Sequence, residues 1–288
     1  MIDFLPLHRI PFDGRFDIDG FSCVPPKGTP RNKALEKELQ ALVERLDELQ
    51  RRLFADRRHA VLAVFQAMDA GGKDSTIRKV FSGVNPAGFR VHAFGRPSEL
   101  ERRQDFLARV GMRLPERGKI GIFNRSHYEE VLVVRVHPEH LAAQNLPAAD
   151  PERIWEERFE SIRCFERHLA ANGTVILKFW LNVSRDEQRR RFLSRIDEPD
   201  KNWKFRLGDL EDRGRWDDYR AAYQDALRAT SRAWAPWYAI PADDKAYLRV
   251  AVARIVVATL EQIDPRYPAI DDAQRRELEE GRRRLERE

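Results

Sequence analysis

Cysteine is scarce in this sequence, with only Cys23 and Cys164 among 288 residues. They are far apart and match no metal-ligand spacing, which argues against a disulfide framework or a zinc site. Long apolar runs are missing too, none approaching the roughly 20 residues needed to span a bilayer. The opening stretch MIDFLPLHRI has no basic segment followed by an apolar core, as a secretion signal would. The expectation is a cytoplasmic protein without a membrane partner. No repeat, linker or low-complexity segment divides the chain. A composition of 42% hydrophobic and 34% charged residues describes a polar globular protein. The net charge of +5 points only weakly to acidic partners.

Residues 1–30 are rich in Pro and Gly and lack periodicity, reading as an ordered arm or a loose tail. Beyond them Leu35, Leu39, Leu42, Leu46, Leu49 and Leu53 step by four and three, the rhythm of a helix with a narrow apolar stripe. That stripe suits packing on its own domain or building an oligomer. Strand and helix signals then alternate. AVLAVFQ (Ala60–Gln66), FRVHAF (Phe89–Phe94), GKIGIFN (Gly118–Asn124) and TVILKFWLNV (Thr174–Val183) read as strands, and Tyr238–Ile240 as a short fifth. Helices are expected from about Ser75, over ELERRQDFLARVGMRL behind a Ser98/Glu101 capping box, from about Pro151, and through AYLRVAVARIVVATLEQI. Such alternation predicts an α/β fold with a parallel sheet covered on both faces. Function then belongs beyond the carboxyl ends of the strands. The division expected is an arm and amphipathic helix over 1–55 and a core over 56–288, with an insertion at about 184–215.

The stretch VFQAMDAGGKDSTIRK lacks two residues of the usual phosphate loop. Ala67 stands where the first Gly belongs, and Asp74 replaces the Ser/Thr that follows Lys. A carboxylate, Asp69, lies inside the loop. The strand–loop–helix context nevertheless supports phosphate binding. Gly71 and Gly72 admit a close backbone approach, the helix N-terminus points amides at an anion, and Lys73 supplies a point charge. Asp74, Ser75 and Lys79 are further candidates for contact with phosphate, and Lys79 with Arg78 could extend a cationic track.

At the next strand end, GIFNRSHYEEVLV places Asn124 at the expected acidic position, followed by Arg125, Glu129 and Glu130. Farther on, SRDEQRRRFLSRIDEPDKNWKF opens with a Ser184/Glu187 capping box and carries Arg185, Arg189, Arg190, Arg191 and Arg195. Few acids separate these arginines, so a mobile cationic lid is favoured over a merely solvated face. In APWYAIPADDKAY, Trp237 and Tyr238 read as core aromatics. Asp243 and Lys245 are placed near the site rather than in it.

The segments MDAGGKD, FNRSHYE, RRRFLSRIDEPDKNWKF and WYAIPADDK, taken in order, resemble the family-2 polyphosphate kinases over nearly the whole chain. The resemblance implies a P-loop kinase-like three-layer αβα sandwich with a parallel central sheet and a helical lid. It implies Mg²⁺-dependent transfer of phosphate between inorganic polyphosphate and AMP, ADP or ATP, or their guanine counterparts, with Mn²⁺ a possible substitute. Asp69 corresponds to the family's essential loop carboxylate and candidate metal ligand, and Lys73 to its phosphate-binding lysine. Arg125 and Arg191 correspond to cations around the transferred phosphate, with Arg195 a further candidate. Asn124 departs from the Asp found there in much of the family; with HYE it resembles the class III subgroup acting on AMP and ADP, and Glu129 is the position to watch for that breadth. A homo-oligomer (dimer or tetramer) without nucleic acid is expected. The rivals are an ATP-dependent nucleotide kinase of the thymidylate-kinase type, which Asp74 disfavours, and a non-catalytic polyanion-binding module, which Asp69 disfavours.

Overall fold

A computed structural model describes residues 2–147, 150 and 153–288. Five strands form one parallel sheet: β1 Ala60–Gln66, β2 Phe89–Ala93, β3 Ile120–Asn124, β4 Thr174–Asn182 and β5 Trp237–Pro241. Their order is β2-β3-β1-β4-β5. Strands β1, β3 and β4 are nearly continuous runs of buried residues, as a sheet covered on both faces requires. After β1 the chain runs to the far edge at β2, then returns through β3 to β4 and β5. That reversal opens a crevice at the carboxyl ends of β1 and its neighbours.

The longer helices are α1 Asn32–Asp56, α2 Lys73–Val80, α3 Ile154–Ala171, α4 Arg185–Asp197, α5 Trp216–Thr230, α6 Lys245–Ile263 and α7 Asp272–Leu285. Helix α6 packs with α1 and α2, while α3 packs on β4 and α5. Leu35, Leu46, Leu49 and Leu53 are buried in the common core, and Leu39 and Leu42 are half-buried against it. The leucine stripe is therefore spent within the chain. The first residues form an ordered arm. Ile10 N–H donates to Trp237 O at 2.9 Å and Ala239 N–H to His8 O at 2.9 Å, which covers the β5 edge. Trp237 and Tyr238 are core aromatics, as expected. Among the described residues, no helix is long and apolar enough to cross a membrane.

Three local expectations fail for physical reasons. The segment ELERRQDFLARVGMRL is not one helix. The Ser98/Glu101 box opens Glu99–Arg102, but Asp105 Oδ1 accepts Leu107 N–H at 2.8 Å and breaks the chain before a second turn at Ala108–Gly111. Helix α2 starts at Lys73 rather than Ser75, because Gly72 takes the left-handed conformation at the N-cap while Ser75 Oγ bonds back to Gly72 O. At α4, Ser184 Oγ caps Glu187 N–H, but the Glu187 carboxylate turns to Arg190 and Arg191 instead of closing the box. The expected start near Pro151 lies outside the described residues.

Candidate active site

The loop after β1 folds on itself before α2 begins. Gly71 N–H donates to Met68 O at 3.0 Å, and Ala70 adopts a left-handed backbone at φ 58°. Gly71 has no substitute: a Cβ there would sit 2.6 Å from Ala67 Cβ and 2.8 Å from Met68 O. Gly72, at φ 98°, turns the chain into the helix. Thr76 N–H to Gly72 O is the first bond of the helix, so the preceding amides have no partner within it, the arrangement that suits a helix N-terminus to an anion. Lys73 is buried and donates to Ala67 O at 2.9 Å. Burial, aided by the neighbouring Arg125 charge, pushes its ammonium down to about 8.

Asp69 answers Arg125 across the crevice. Arg125 Nη2 donates to Asp69 Oδ1 at 2.8 Å, and Nη1 to Glu129 Oε2 at 3.1 Å. The two carboxylates, Glu129 foremost, raise the Arg125 pKa against the opposing effect of burial. Arg125 adopts φ 63°, a left-handed conformation costing a non-glycine residue about 1–2 kcal/mol. Its N–H donates to Phe65 O at 3.0 Å, which ties the turn to β1. Asn124 donates through its amide to Asp74, joining the end of β3 to the first turn of α2.

Arg191, buried on α4, holds the loop from the other side. It donates to Ala70 O at 2.9 Å and Glu187 Oε1 at 2.6 Å, and also to Ala242 O. Burial lowers its pKa to about 10. Three of its roughly five N–H groups are thereby engaged with the chain. Arg195 points to Asp209 at 3.4 Å, in the insertion. Lys79 is exposed at the far end of α2, about 9 Å along the axis from Lys73. Asp243 accepts Ser184 N–H at 2.8 Å, so it steadies the start of α4.

Sequence reasoning missed several neighbours. Gln188 Nε2 donates to Asp69 O at 2.9 Å; it lies one turn before Arg191, a spacing that could have revealed it. Tyr219 and Tyr223, four apart on α5, stand near the Arg125 cluster. Burial raises both phenols; next come Asp212, which accepts the Tyr219 hydroxyl, for Tyr219 and Glu129 for Tyr223, with Asp69 adding to each. Asp209, raised first by burial and then by Asp69, shows that the insertion brings a carboxylate toward the loop.

Among the described residues, no three His, Cys, Asp or Glu side chains converge into a ready metal cage. Phosphoryl-transfer enzymes nevertheless hold their divalent ion by one or two carboxylates, with substrate phosphates and water filling the rest. Asp69 fits that role, since Arg125 engages only its Oδ1.

Comparisons with known proteins place the chain in a family. A family model described as Polyphosphate kinase 2 (PPK2) matches residues 30–268. The chain is 53% identical over 249 residues to an ADP-polyphosphate phosphotransferase of Rhodopseudomonas palustris, covering 86% of each chain. It is 49% identical over 271 residues to an AMP/ADP-polyphosphate phosphotransferase of Meiothermus ruber, covering 92% of this chain and 96% of the relative. The crystal structure of polyphosphate kinase 2 from Arthrobacter aurescens TC1 superimposes with a TM-score of 0.86 at 35% identity, covering 96% of this chain and 98% of that one. The chain belongs to the polyphosphate kinase 2 family.

Proposed function

We propose that this protein transfers the terminal phosphoryl group of inorganic polyphosphate to AMP and ADP, with Mg²⁺ as the usual ion and Mn²⁺ a substitute. The observation that carries the reading is the Asp69–Arg125 pair, a carboxylate and a guanidinium facing each other across a phosphate-binding loop. A pure anion trap gains nothing from that carboxylate, whereas an enzyme that must bring two polyanions together uses both charges.

The loop amides, Gly71, Gly72 and the first turn of α2 through Asp74 and Ser75 cradle one phosphate. Lys73 leaves Ala67 O and donates to a bridging or terminal oxygen. Arg125 turns its fork from Asp69 to the transferred phosphate, and Arg191 keeps the loop in shape while offering its remaining N–H groups. Asp69 would hold the divalent ion, which when bound neutralises crowded phosphate oxygens. Asn124 and Glu129 face the accepting nucleotide. Its phosphate oxygens are already anionic at neutral pH, so positioning and electrostatics, without a strong general base, carry the in-line transfer.

The insertion over about 184–215 acts as the lid, with Arg195 exchanging Asp209 for phosphate on closure. Arg78 and Lys79 continue a cationic path for the polymer. Two relatives' names differ in including AMP. The Asn124 and His127-Tyr128-Glu129 pairing supports the broader acceptor range, and guanine nucleotides fit the same phosphate chemistry. A cytoplasmic homo-oligomer is the setting proposed.

The test is to incubate the protein with Mg²⁺, AMP or ADP, and either polyphosphate or ATP as sole donor, then resolve the nucleotides. Products from polyphosphate with both acceptors are expected. Products from ATP alone would favour the ATP-dependent rival, and no product from either donor would leave an anion-binding module.

A further inference from the structure

Beneath the site lies a polar network that the transfer chemistry does not use. Lys178, in the middle of β4, has no solvent exposure, yet its ammonium makes three bonds: to Glu166 Oε2 at 2.6 Å, Tyr128 Oη at 2.9 Å and Thr230 O at 2.8 Å. Tyr128 Oη in turn donates to Glu166 Oε1 at 2.8 Å, and His127 Nε2 lies 3.5 Å from that same oxygen. Burial drives the lysine down to about 8 while Glu166 pulls it back up. Burial pushes the Glu166 carboxyl up, but Lys178 and His127 outweigh it and hold it below its usual value. A buried pair of this kind is weak evidence for stability, because well-packed apolar residues often serve as well.

Its position suggests another use. Tyr128 and His127 belong to the 3₁₀ turn His127–Val131, which follows Arg125 after a single residue. That residue, Ser126, caps the turn by accepting Tyr128 N–H at 3.2 Å, and it accepts Gln66 Nε2 from the end of β1 at 3.1 Å. Glu129, which bonds Arg125, follows directly. The left-handed backbone at Arg125 is unfavourable for an arginine, and relaxing it would swing the guanidinium away from the loop. Tyr128 reaches past β1 to Lys178 on β4, so the turn is fixed to two strands and to α3 at once.

We propose that Lys178, acting with Glu166 through Tyr128, is a positioning residue that fixes the turn carrying Arg125 and Glu129 beside the loop for phosphoryl transfer. The inference rests on the assignment of Arg125 to the transferred phosphate. It predicts that Lys178→Met lowers kcat by up to about 10²-fold with nearly unchanged KM, since a small misplacement far from the chemistry has that effect. Tyr128→Phe, which removes only the hydroxyl and keeps the packing, should give a smaller loss in the same parameter.

The experiment is a double-mutant cycle on the full chain, with thermal unfolding followed in parallel. Lys178→Met and Tyr128→Phe are each combined with Arg125→Lys, and separately with Arg191→Lys as a control reached from α4. Both network substitutions should cost much less in the Arg125→Lys background than alone, and their full cost in the Arg191→Lys background. A merely structural role would show equal losses in both backgrounds and would overturn the proposal. So would wild-type kcat in folded Tyr128→Phe. Full activity of Arg125→Lys alone would remove the premise instead, which separates failure of the Arg125 assignment from failure of the network.

Discussion

Arg125 Nη2 lies 2.8 Å from Asp69 Oδ1, joining the turn after β3 to the loop after β1. In the proposed reaction each group would exchange the other for a substrate partner: a phosphate for the arginine, a divalent ion for the carboxylate. The pair keeps both charges balanced in a crevice that must later admit more negative charge. It is only partly buried, with side-chain exposures of 38% and 23%, so it can open at modest cost.

Lys73 sets a pH dependence. Burial, then Arg125, lowers its pKa to about 8 before substrate enters, and a bound phosphate favours the charged form. Polyphosphate binding should therefore take up a proton near and above pH 8, and affinity should fall as pH rises through that value. Calorimetric titrations in buffers of different ionisation enthalpy check this. Proton uptake that stays at zero from pH 7 to 9 would contradict it.

Gly71→Ala should disable the loop. The added Cβ would meet Ala67 Cβ at 2.6 Å and the Met68 carbonyl at 2.8 Å, and backbone cannot give way cheaply. A stability loss of about 1–3 kcal/mol is expected from such overpacking, with a larger loss of transfer. Thermal unfolding and initial rates on the same preparation measure both.

Arg191→Met should act through the loop's shape. It would leave Glu187 Oε1 and the Ala70 and Ala242 carbonyls without the donor Arg191 supplies, with Arg190 still engaging Glu187 Oε2. Unsatisfied groups of this kind cost about 1–3 kcal/mol each at most sites. Denaturant unfolding should register the loss, and polyphosphate KM should rise with it.

Salt should weaken the polymer far more than the nucleotide. A polyanion held by several cations releases counterions on binding, whereas a mononucleotide makes fewer such contacts. Raising ionic strength should therefore increase KM for polyphosphate steeply and KM for ADP mildly; equal slopes would argue against an extended cationic path through Arg78 and Lys79.

Much of this was legible because the strongest signals are periodic or covalently adjacent. The β1 run AVLAVFQ is apolar throughout because both of its faces are covered, and its bounds were read directly. Asp69, Gly71, Gly72 and Lys73 sit within five positions, so motif and site coincide. What stayed hidden depends on folding in three dimensions. Nothing local in QDFLA says that Asp105 will bond Leu107 N–H and interrupt a helix that Ser98 had opened. Glu187 has the spacing of a capping box, yet its carboxylate pairs with Arg191, a choice made by burial. Gln188 and Tyr223 reach the site from helices distant in sequence, and Lys178 is hidden in a strand pattern that reads as core.

The most direct test of the account is the initial rate of ATP formation from ADP and polyphosphate, measured for the wild type and for Asp69→Asn. The substitution removes a partly exposed ion pair, so folding stability should change by no more than about 1 kcal/mol. The rate should nevertheless fall by at least about 10²-fold, the scale of losing a preorganised charge at a reacting centre. A folded Asp69→Asn protein that still makes ATP at the wild-type rate would contradict the account.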